Sequence, residues 1–96
     1  MRNKPMVRGH LINKINRILP EAKAAPREDF DGQKEGIWLR GSESTHTDTK
    51  GDIQRIYNYW QEGDSPVHPK LTKILEDANW YDEAHDAGTL MLWPGA

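Results

Sequence analysis

The sequence predicts an α+β fold in which about three helices pack on a small antiparallel sheet of about three strands. The helices are predicted from apolar residues that recur at helical spacing and form one stripe in each segment. The strands are predicted at 36–40 and 89–93 from short runs rich in apolar residues, and at 80–85 from a stretch that can extend before the hairpin turn. Such a sheet has an apolar face that must be covered, and helices with a single apolar stripe can cover it.

The first helix is predicted from Pro5 to Leu19, because Pro20 cannot continue it. Residues 1–5 are expected to be frayed. The predicted buried stripe of this helix is Val7, Leu11, Ile15 and Ile18. Its opposite face is basic and consists of Arg8, Lys14 and Arg17.

A second helix is predicted over residues 51–62, where four apolar residues lie at i, i+3, i+4 and i+7 and Gly63 ends the helix. Those four residues are Ile53, Ile56, Tyr57 and Trp60. Asp48 or Thr49 is expected to cap it. Tyr59 falls off the stripe and is therefore a candidate exposed aromatic.

The C-terminal stretch predicts a third helix and a hairpin. The helix is expected over 69–78, with His68 or Ser65 as its cap and Asn79 in the left-handed conformation that ends it. The hairpin is expected to turn at Asp86-Ala87-Gly88, with the glycine at positive φ. The predicted core of the domain is Trp38, Leu39, Ile56, Trp60, Leu71, Ile74, Leu75, Trp80, Leu90 and Leu92.

Two segments are predicted to be loops. Residues 20–35 contain prolines and an Asp-Gly turn, and Phe30 is expected to pin this loop to the core. Residues 41–51 form a polar loop without a large apolar side chain. Because exposed loops often carry function, this loop is a candidate contact region. His46 and Asp48 could also belong to a hydrolytic site, but their spacing does not require a nucleophile and a base to converge.

Length and composition limit the class of protein. The 96 residues are predicted to form one domain, and the absence of cysteine excludes disulfides and thiolate metal sites. No apolar run approaches the roughly 18 to 20 residues that span a bilayer, so a soluble cytoplasmic protein is expected. None of the four histidines forms an i, i+4 pair, and no Gly-rich phosphate loop is present. We therefore assign no metal, no cofactor and no catalytic residue.

The charge is unevenly distributed along the chain. Residues 1–27 contain seven Lys or Arg against Glu21, a net charge of +6, which leaves −8 for the remainder because the whole chain carries −2. A basic segment of this kind can meet nucleic acid, dock on a partner protein or dock on the chain's own acidic half.

The segment LTKILEDANWYDEAHDAGTLMLWP, with GIWLRGSE upstream, resembles small accessory proteins of tailed bacteriophages. The resemblance covers about the C-terminal two-thirds of the chain and includes no catalytic signature. It implies an accessory protein that acts in the host cytoplasm by binding and inhibiting a host enzyme or defence complex. It assigns a role to no residue.

The functional prediction is a small non-enzymatic protein that occludes a surface of a host or other cellular protein, as a monomer or a homodimer. Interfaces favour aromatic and arginine anchors beside polar contacts. The candidate contact residues are Arg40, Glu43, His46, Asp48, Tyr59 and Trp93.

The alternative prediction is nucleic-acid binding. One version uses the basic face of the first helix, with Arg8, Lys14 and Arg17 on phosphates. The other treats residues 51–78 as a unit resembling a helix-turn-helix, which would present Lys70 and Lys73 to the major groove. The connection between its two helices is longer than such a turn usually is.

Overall fold

A computed structural model describes residues 4–32, 35–58 and 66–95 of the chain, and in these residues the fold is α+β. The helices are α1 (Arg8–Ile18), α2 (Glu28–Asp31) and α3 (Pro69–Ala78), with a 3₁₀ turn at Pro20–Ala22. The strands are β1 (Ala24–Pro26), β2 (Ile37–Leu39), β3 (Thr45–Thr47), β4 (Ile53–Arg55), β5 (Trp80–Asp86) and β6 (Thr89–Pro94).

The main sheet is antiparallel and has the strand order β1-β2-β6-β5, while β3 and β4 form a separate hairpin. The three predicted strands are confirmed as β2, β5 and β6, and β1 adds a fourth that was not predicted. Trp38 lies opposite Met91, and Met91 lies opposite Glu83 on the other side. This register puts the three side chains in one row across the sheet, on the face opposite to Ile37 and Leu39.

The core lies between one face of the main sheet and the helices α1 and α3. Of the predicted core residues, eight are confirmed as buried: Leu39, Ile56, Leu71, Ile74, Leu75, Trp80, Leu90 and Leu92. Trp38 is only half-buried, because it points to the other face of the sheet. The prediction for Trp60 lies outside the described residues.

Helix α3 has the predicted bounds, because its start and stop signals are local. Pro69 occupies the first turn, and His68 Nδ1 accepts the Lys70 N–H at 3.1 Å. Asn79 ends the helix in the left-handed conformation, with φ 57°. Four apolar side chains of one stripe are buried against the sheet: Leu71, Ile74, Leu75 and Ala78.

Helix α1 is shorter at its start than predicted, and its stripe is different. The Met6 N–H donates to Ala78 O at 2.8 Å, and Met6 O accepts the Trp80 indole N–H at 2.8 Å. These two bonds hold the Met6 peptide groups against the end of α3, so the chain cannot be helical there. Val7 is therefore 66% exposed and not part of the buried stripe. Leu11 and Ile15 are buried as predicted.

The prediction of a helix over residues 51–62 is wrong for the part that is described. Residues 53–55 form β4, which pairs with β3, and Ile53 is 68% exposed. The Ile56 N–H donates to Ser44 O at 2.9 Å, and Ile56 O accepts the His68 N–H at 2.9 Å. These long-range bonds, with the β-branched residues of this segment, favour an extended chain. Because 51–58 is not helical, the first helix of the predicted helix-turn-helix is absent from the described residues of 51–78.

The segment 41–51, predicted to be a polar loop, contains strand β3. Asp48 does not cap a helix: its Oδ1 accepts the N–H groups of Lys50 at 2.8 Å and Asp52 at 3.0 Å. These bonds build the turn of the β3–β4 hairpin, and Gly51 in that turn has φ +88°. The backbone hydrogen bonds to the Asp52 and Lys50 amides lower the pKa of Asp48.

The β5–β6 hairpin forms as predicted, but its glycine has a different conformation. Gly88 is not among the positive-φ glycines of the described residues, which are Gly32, Gly36 and Gly51. The Gly88 N–H donates to Asp86 Oδ1 at 2.9 Å, and this bond shapes the turn instead. It is also the main reason why the pKa of Asp86 is lowered.

Candidate functional site

The face of the main sheet that turns away from α1 and α3 is rich in aromatic residues. We call it the aromatic face and define it as Phe30, Trp38, Tyr81, His85 and Trp93. Tyr81 lies directly opposite Trp93 in the β5–β6 ladder, so the two rings share one side of the sheet. Tyr81 is 51% exposed, and Phe30 is 37% exposed. Large side chains are thus open to solvent beside half-buried tryptophans.

Helix α2 holds part of the aromatic face in place. The Phe30 ring meets Trp38 and His85 edge-on, with ring centroids 5.1 Å apart in both pairs. The sequence predicted that Phe30 pins its loop to the core. It packs on the opposite side of the sheet instead, because α2 crosses that side.

Charged groups lie among these rings. The Arg27 guanidinium stacks over Trp93, 4.6 Å from the ring centroid, and forms a cation–π contact. The Trp93 indole N–H donates to Glu83 Oε1 at 3.3 Å. The aromatic face therefore presents aromatic rings beside an arginine, two kinds of side chain that are enriched in protein interfaces, together with one carboxylate.

Strand β5 borders the aromatic face and ends the main sheet. Its residues 81–86 are all exposed, and in the described part of the chain it pairs with β6 alone. The Gly95 N–H donates to Asn79 O, and the Leu90 N–H points to Ser42 Oγ on the β2 side.

These two hydrogen bonds determine which residues of β5 direct their peptide groups toward β6 and which direct them away. In an antiparallel pair every second residue directs its peptide groups to the neighbouring strand and the others point away. Tyr81 and Glu83 therefore bond to β6. Asp82 and Ala84 direct their N–H and C=O groups to the open edge.

A second feature is a pocket of about 540 Å³ between α1, α2 and the sheet. Arg8 closes one side of it by donating to both carboxylate oxygens of Glu28, at 2.7 and 2.9 Å, and to Gly36 O at 3.3 Å. The Glu28 carboxylate raises the pKa of Arg8. Trp80 and Pro94 provide apolar walls. Because its charge is already paired, Arg8 is a poor ligand for a phosphate.

A third feature is a groove of about 370 Å³ between α1 and α3, which we call the basic groove. Lys14 on α1 and Lys70 and Lys73 on α3 line it over an apolar floor of Ile18 and Ile74. Lys73 also pairs with Asp77 at 3.1 Å. Arg17 and Lys14 line a neighbouring pocket of about 350 Å³ on the same helix. The structure thus brings together four of the five residues predicted for nucleic-acid binding and separates Arg8 from them.

A fourth feature is a cluster of two histidines and a carboxylate. His46 Nδ1 lies 2.8 Å from Glu21 Oε1, and the His46 and His68 rings meet edge-on at 5.6 Å. The bond to His46 is the main reason why the pKa of Glu21 is lowered, while burial is the main cause of the lowered pKa of His68.

This histidine cluster offers little chemistry. Ser42 Oγ donates to Leu39 O and accepts the Leu90 N–H, so this nearby hydroxyl is committed to backbone. In residues 4–32, 35–58 and 66–95 no three His, Cys, Asp or Glu side chains come together as metal ligands. The cluster ties the β3–β4 hairpin to the 3₁₀ turn and the start of α3.

The residues predicted to contact a partner are dispersed. Trp93 lies on the aromatic face, and Glu43 packs against Gly88 in the β5–β6 turn. Arg40 is exposed and donates weakly to Lys23 O at 3.5 Å. His46 is buried, and Asp48 builds a turn. The prediction for Tyr59 lies outside the described residues.

Sequence analysis missed most of the aromatic face. One signal was available, since Tyr81 and Glu83 alternate with Asp82 on a predicted strand and must share a side. No local pattern could place Phe30 or Arg27 there, because their positions depend on how α2 packs.

None of the helices in the described residues has the length and apolar character that crossing a membrane requires. No protein-family model matches the chain, and neither a curated protein nor a solved structure matches it.

Proposed function

We propose that this protein binds a protein partner through the aromatic face and the adjoining edge of β5, and that it acts by occluding a surface of that partner without catalysis. The observation that carries the proposal is the combination of exposed rings with an open strand edge. Tyr81 and Phe30 can supply buried aromatic contacts on binding, and β5 can supply backbone hydrogen bonds.

The resemblance to tailed-bacteriophage proteins adds to this proposal. It implies that the partner is a protein of the bacterial host and that binding takes place in the host cytoplasm. Trp93 contributes indirectly, because Arg27 covers part of its ring and Trp93 lies directly opposite Tyr81 in the β5–β6 ladder. Arg40 and Glu43 stay candidate contacts at the borders of the surface.

The test is affinity capture from bacterial lysate with tagged full-length protein, washed with nuclease and high salt and read by mass spectrometry. Wild type is expected to retain a stoichiometric protein that Tyr81→Ala and Phe30→Ala lose. Ile53→Ala is the matched control, since Ile53 is an equally apolar side chain, 68% exposed, on the separate β3–β4 hairpin. Equal capture by wild type and Tyr81→Ala would contradict the proposal.

A second candidate function is nucleic-acid binding in the basic groove. The specific observation is that Lys14 faces Lys70 and Lys73 across one groove, although Lys14 is far from both in sequence. Phosphates bound there would release counterions, so affinity should fall steeply with salt.

The basic groove is tested by titrating labelled DNA and RNA at several salt concentrations. Lys14→Ala and Lys70→Ala are each expected to reduce the salt dependence of binding by roughly one contact. Lys50→Ala, an exposed lysine on the β3–β4 hairpin, should leave it unchanged. Binding that is insensitive to salt would exclude this function.

A further inference from the structure

The open edge of β5 presents backbone hydrogen-bonding groups at defined positions and carries a negative charge. Asp82 and Ala84 direct their N–H and C=O groups away from β6, as the ladder geometry requires. A register shift between Ala84 and Asp86 ends the regular ladder. The exposed part of β5 before this shift runs from Tyr81 to Ala84 and can pair with a short extended segment.

The charge of this edge indicates what it can bind. Strand β5 has the sequence WYDEAHD, with three carboxylates and neither Lys nor Arg. Asp86 is engaged by the Gly88 N–H in the turn. Asp82 and Glu83 are exposed, and neither forms an ion pair with a described residue. An incoming strand is favoured if it places cations opposite these two carboxylates.

The structure points to a partner that contributes an extended basic segment, and we propose that this segment adds to β5 as a fifth strand of the main sheet. The inference rests on the proposed function and specifies the chemistry of the partner. Because neighbouring side chains alternate between faces, the segment would carry consecutive Lys or Arg residues opposite Asp82 and Glu83. The next position, opposite the exposed Tyr81 ring, would be apolar or aromatic.

A second copy of this chain is a poor occupant of the edge. Pairing β5 with β5 would put carboxylates close to carboxylates, and like charges opposite each other destabilise a strand pair. Acidic residues on an edge also protect a protein from such self-association. That role does not explain the aromatic face beside β5, whereas strand addition uses both features.

The experiment is selection of a displayed random-peptide library on tagged full-length protein, followed by affinity measurement with the selected synthetic peptides. The expected peptides have adjacent Lys or Arg next to an apolar residue. Ala84→Pro is expected to weaken their binding by about tenfold or more, because it removes an outward N–H that an added strand would use. Ala84→Val keeps that N–H and should bind like wild type.

Proline is tolerated on an edge strand where its missing N–H faces solvent, so Ala84→Pro should preserve the β5–β6 ladder. If circular dichroism shows that it unfolds, backbone N-methylation of the selected peptides tests the same hydrogen bonds with wild-type protein. Two N-methylated forms of each peptide are compared, one methylated at the odd-numbered amides and one at the even-numbered amides. In an added strand only one of these two sets faces β5, so one form should lose binding and the other should keep it. Equal loss in both forms, or no loss in either, would overturn strand addition.

Other outcomes separate this inference from the proposed function. Selected peptides without an excess of Lys or Arg, a library without binders, or equal affinity for Ala84→Pro and wild type would overturn strand addition. If Ala84→Pro still captures a protein that Tyr81→Ala loses, protein binding through the aromatic face stands, and the use of the β5 edge by an added strand falls. If neither variant affects capture, both fall.

Discussion

The Glu21 carboxylate and the His46 imidazole meet at 2.8 Å, across a separation of 25 residues in the chain. His46 belongs to β3 and is buried, while Glu21 lies in the 3₁₀ turn after α1 and keeps contact with solvent. His46 also packs edge-on against His68, which caps α3. His46 thus connects the β3–β4 hairpin to the turn that follows α1 and to the start of α3.

The first prediction concerns this contact under acid conditions. The bond to His46 lowers the pKa of Glu21 below its ordinary value of 4.5, so the ionised carboxylate stabilises the folded state. That contribution is complete above the unfolded-state pKa and is lost as pH falls through the folded-state pKa. Glu21→Gln should therefore unfold at lower urea than wild type at neutral pH, and the difference should shrink as the pH falls from about 4.5 through the folded-state pKa.

The control for the Glu21 prediction is a double-mutant cycle at neutral pH. In a His46→Asn background, Glu21→Gln should have little further effect, because its partner is already missing. If Glu21→Gln were equally destabilising in both backgrounds, the effect would not come from this pair.

The second prediction concerns His68 between neutral and mildly acid pH. Burial is the first cause of its lowered pKa, followed by repulsion from His46 and Lys70. The folded state therefore binds a proton less readily than the unfolded state, whose pKa is near 6.5. The contribution of neutral His68 to stability is therefore fully present above about pH 6.5. It falls as the pH drops from there toward the folded-state pKa. Protonation would also remove the Nδ1 acceptor that caps α3.

His68→Asn tests this, because asparagine keeps an N-cap acceptor and does not titrate. The unfolding free energy of this variant, measured in urea at several pH values, should change less than that of wild type as the pH falls below about 6.5. His68→Ala removes the cap and should cost about 1 kcal/mol or more at neutral pH. An unchanged pH dependence in His68→Asn would show that another group is responsible.

The parts of the fold that sequence could predict are those with local signals. Helix α3 has a single apolar stripe, Pro69 in its first turn and Asn79 at its end, and all of these act within a few residues. The β5–β6 hairpin likewise follows from its own turn. For such elements the tertiary structure agrees with the local preference.

The predictions failed where distant contacts decide. The spacing of Ile53 and Ile56 fits a helix, but bonds from Ile56 to Ser44 and His68 favour an extended chain. In the same way, Met6 is held by Ala78 and Trp80, so α1 starts later than its composition indicates. These partners are too far away in sequence for periodicity to reveal them.

The candidate site was predictable only in part. Trp93 was predicted as a partner contact from its residue type and its place on a predicted strand. This contact stays a prediction, since the structure shows only that Trp93 lies on the aromatic face. The basic groove could not be foreseen, because Lys14 and Lys70 meet only when α1 packs beside α3. The position of Arg8 outside this groove could not be foreseen either, because it depends on the packing of α2, which carries the partner Glu28.

The third prediction concerns the surface proposed for binding. Tyr81→Ala removes a ring that is 51% exposed, so it should change the unfolding free energy by about 1 kcal/mol or less while weakening partner capture. Phe30→Ala should also weaken capture, but it should cost more stability than Tyr81→Ala because the Phe30 ring packs edge-on against Trp38 and His85. Trp38→Ala should instead destabilise the fold by about 2 kcal/mol or more, because its half-buried ring packs against Phe30. Urea unfolding of the three variants separates these effects. Strong destabilisation by Tyr81→Ala would identify that ring as structural.

The last prediction compares Gly41, which lies in a crowded turn, with Gly9, which has open space around it in helix α1. Gly41 follows β2, and its N–H donates to Ala22 O at 2.8 Å. A Cβ built at Gly41 would collide with the carbonyl oxygen of Glu21, whereas a Cβ at Gly9 in α1 meets nothing within 4 Å. Gly41→Ala must therefore push the 3₁₀ turn away from the sheet and should cost about 1–3 kcal/mol, as overpacking does.

Gly9→Ala is the matched control and should stabilise the protein by up to about 1 kcal/mol, because alanine is the better helix former. The two variants should thus shift the urea midpoint in opposite directions. Since the 3₁₀ turn also carries Glu21, Gly41→Ala should weaken the contact to His46 as well, and the added effect of Glu21→Gln in that background should shrink. A neutral Gly41→Ala would mean that the turn can move away from the sheet at little cost.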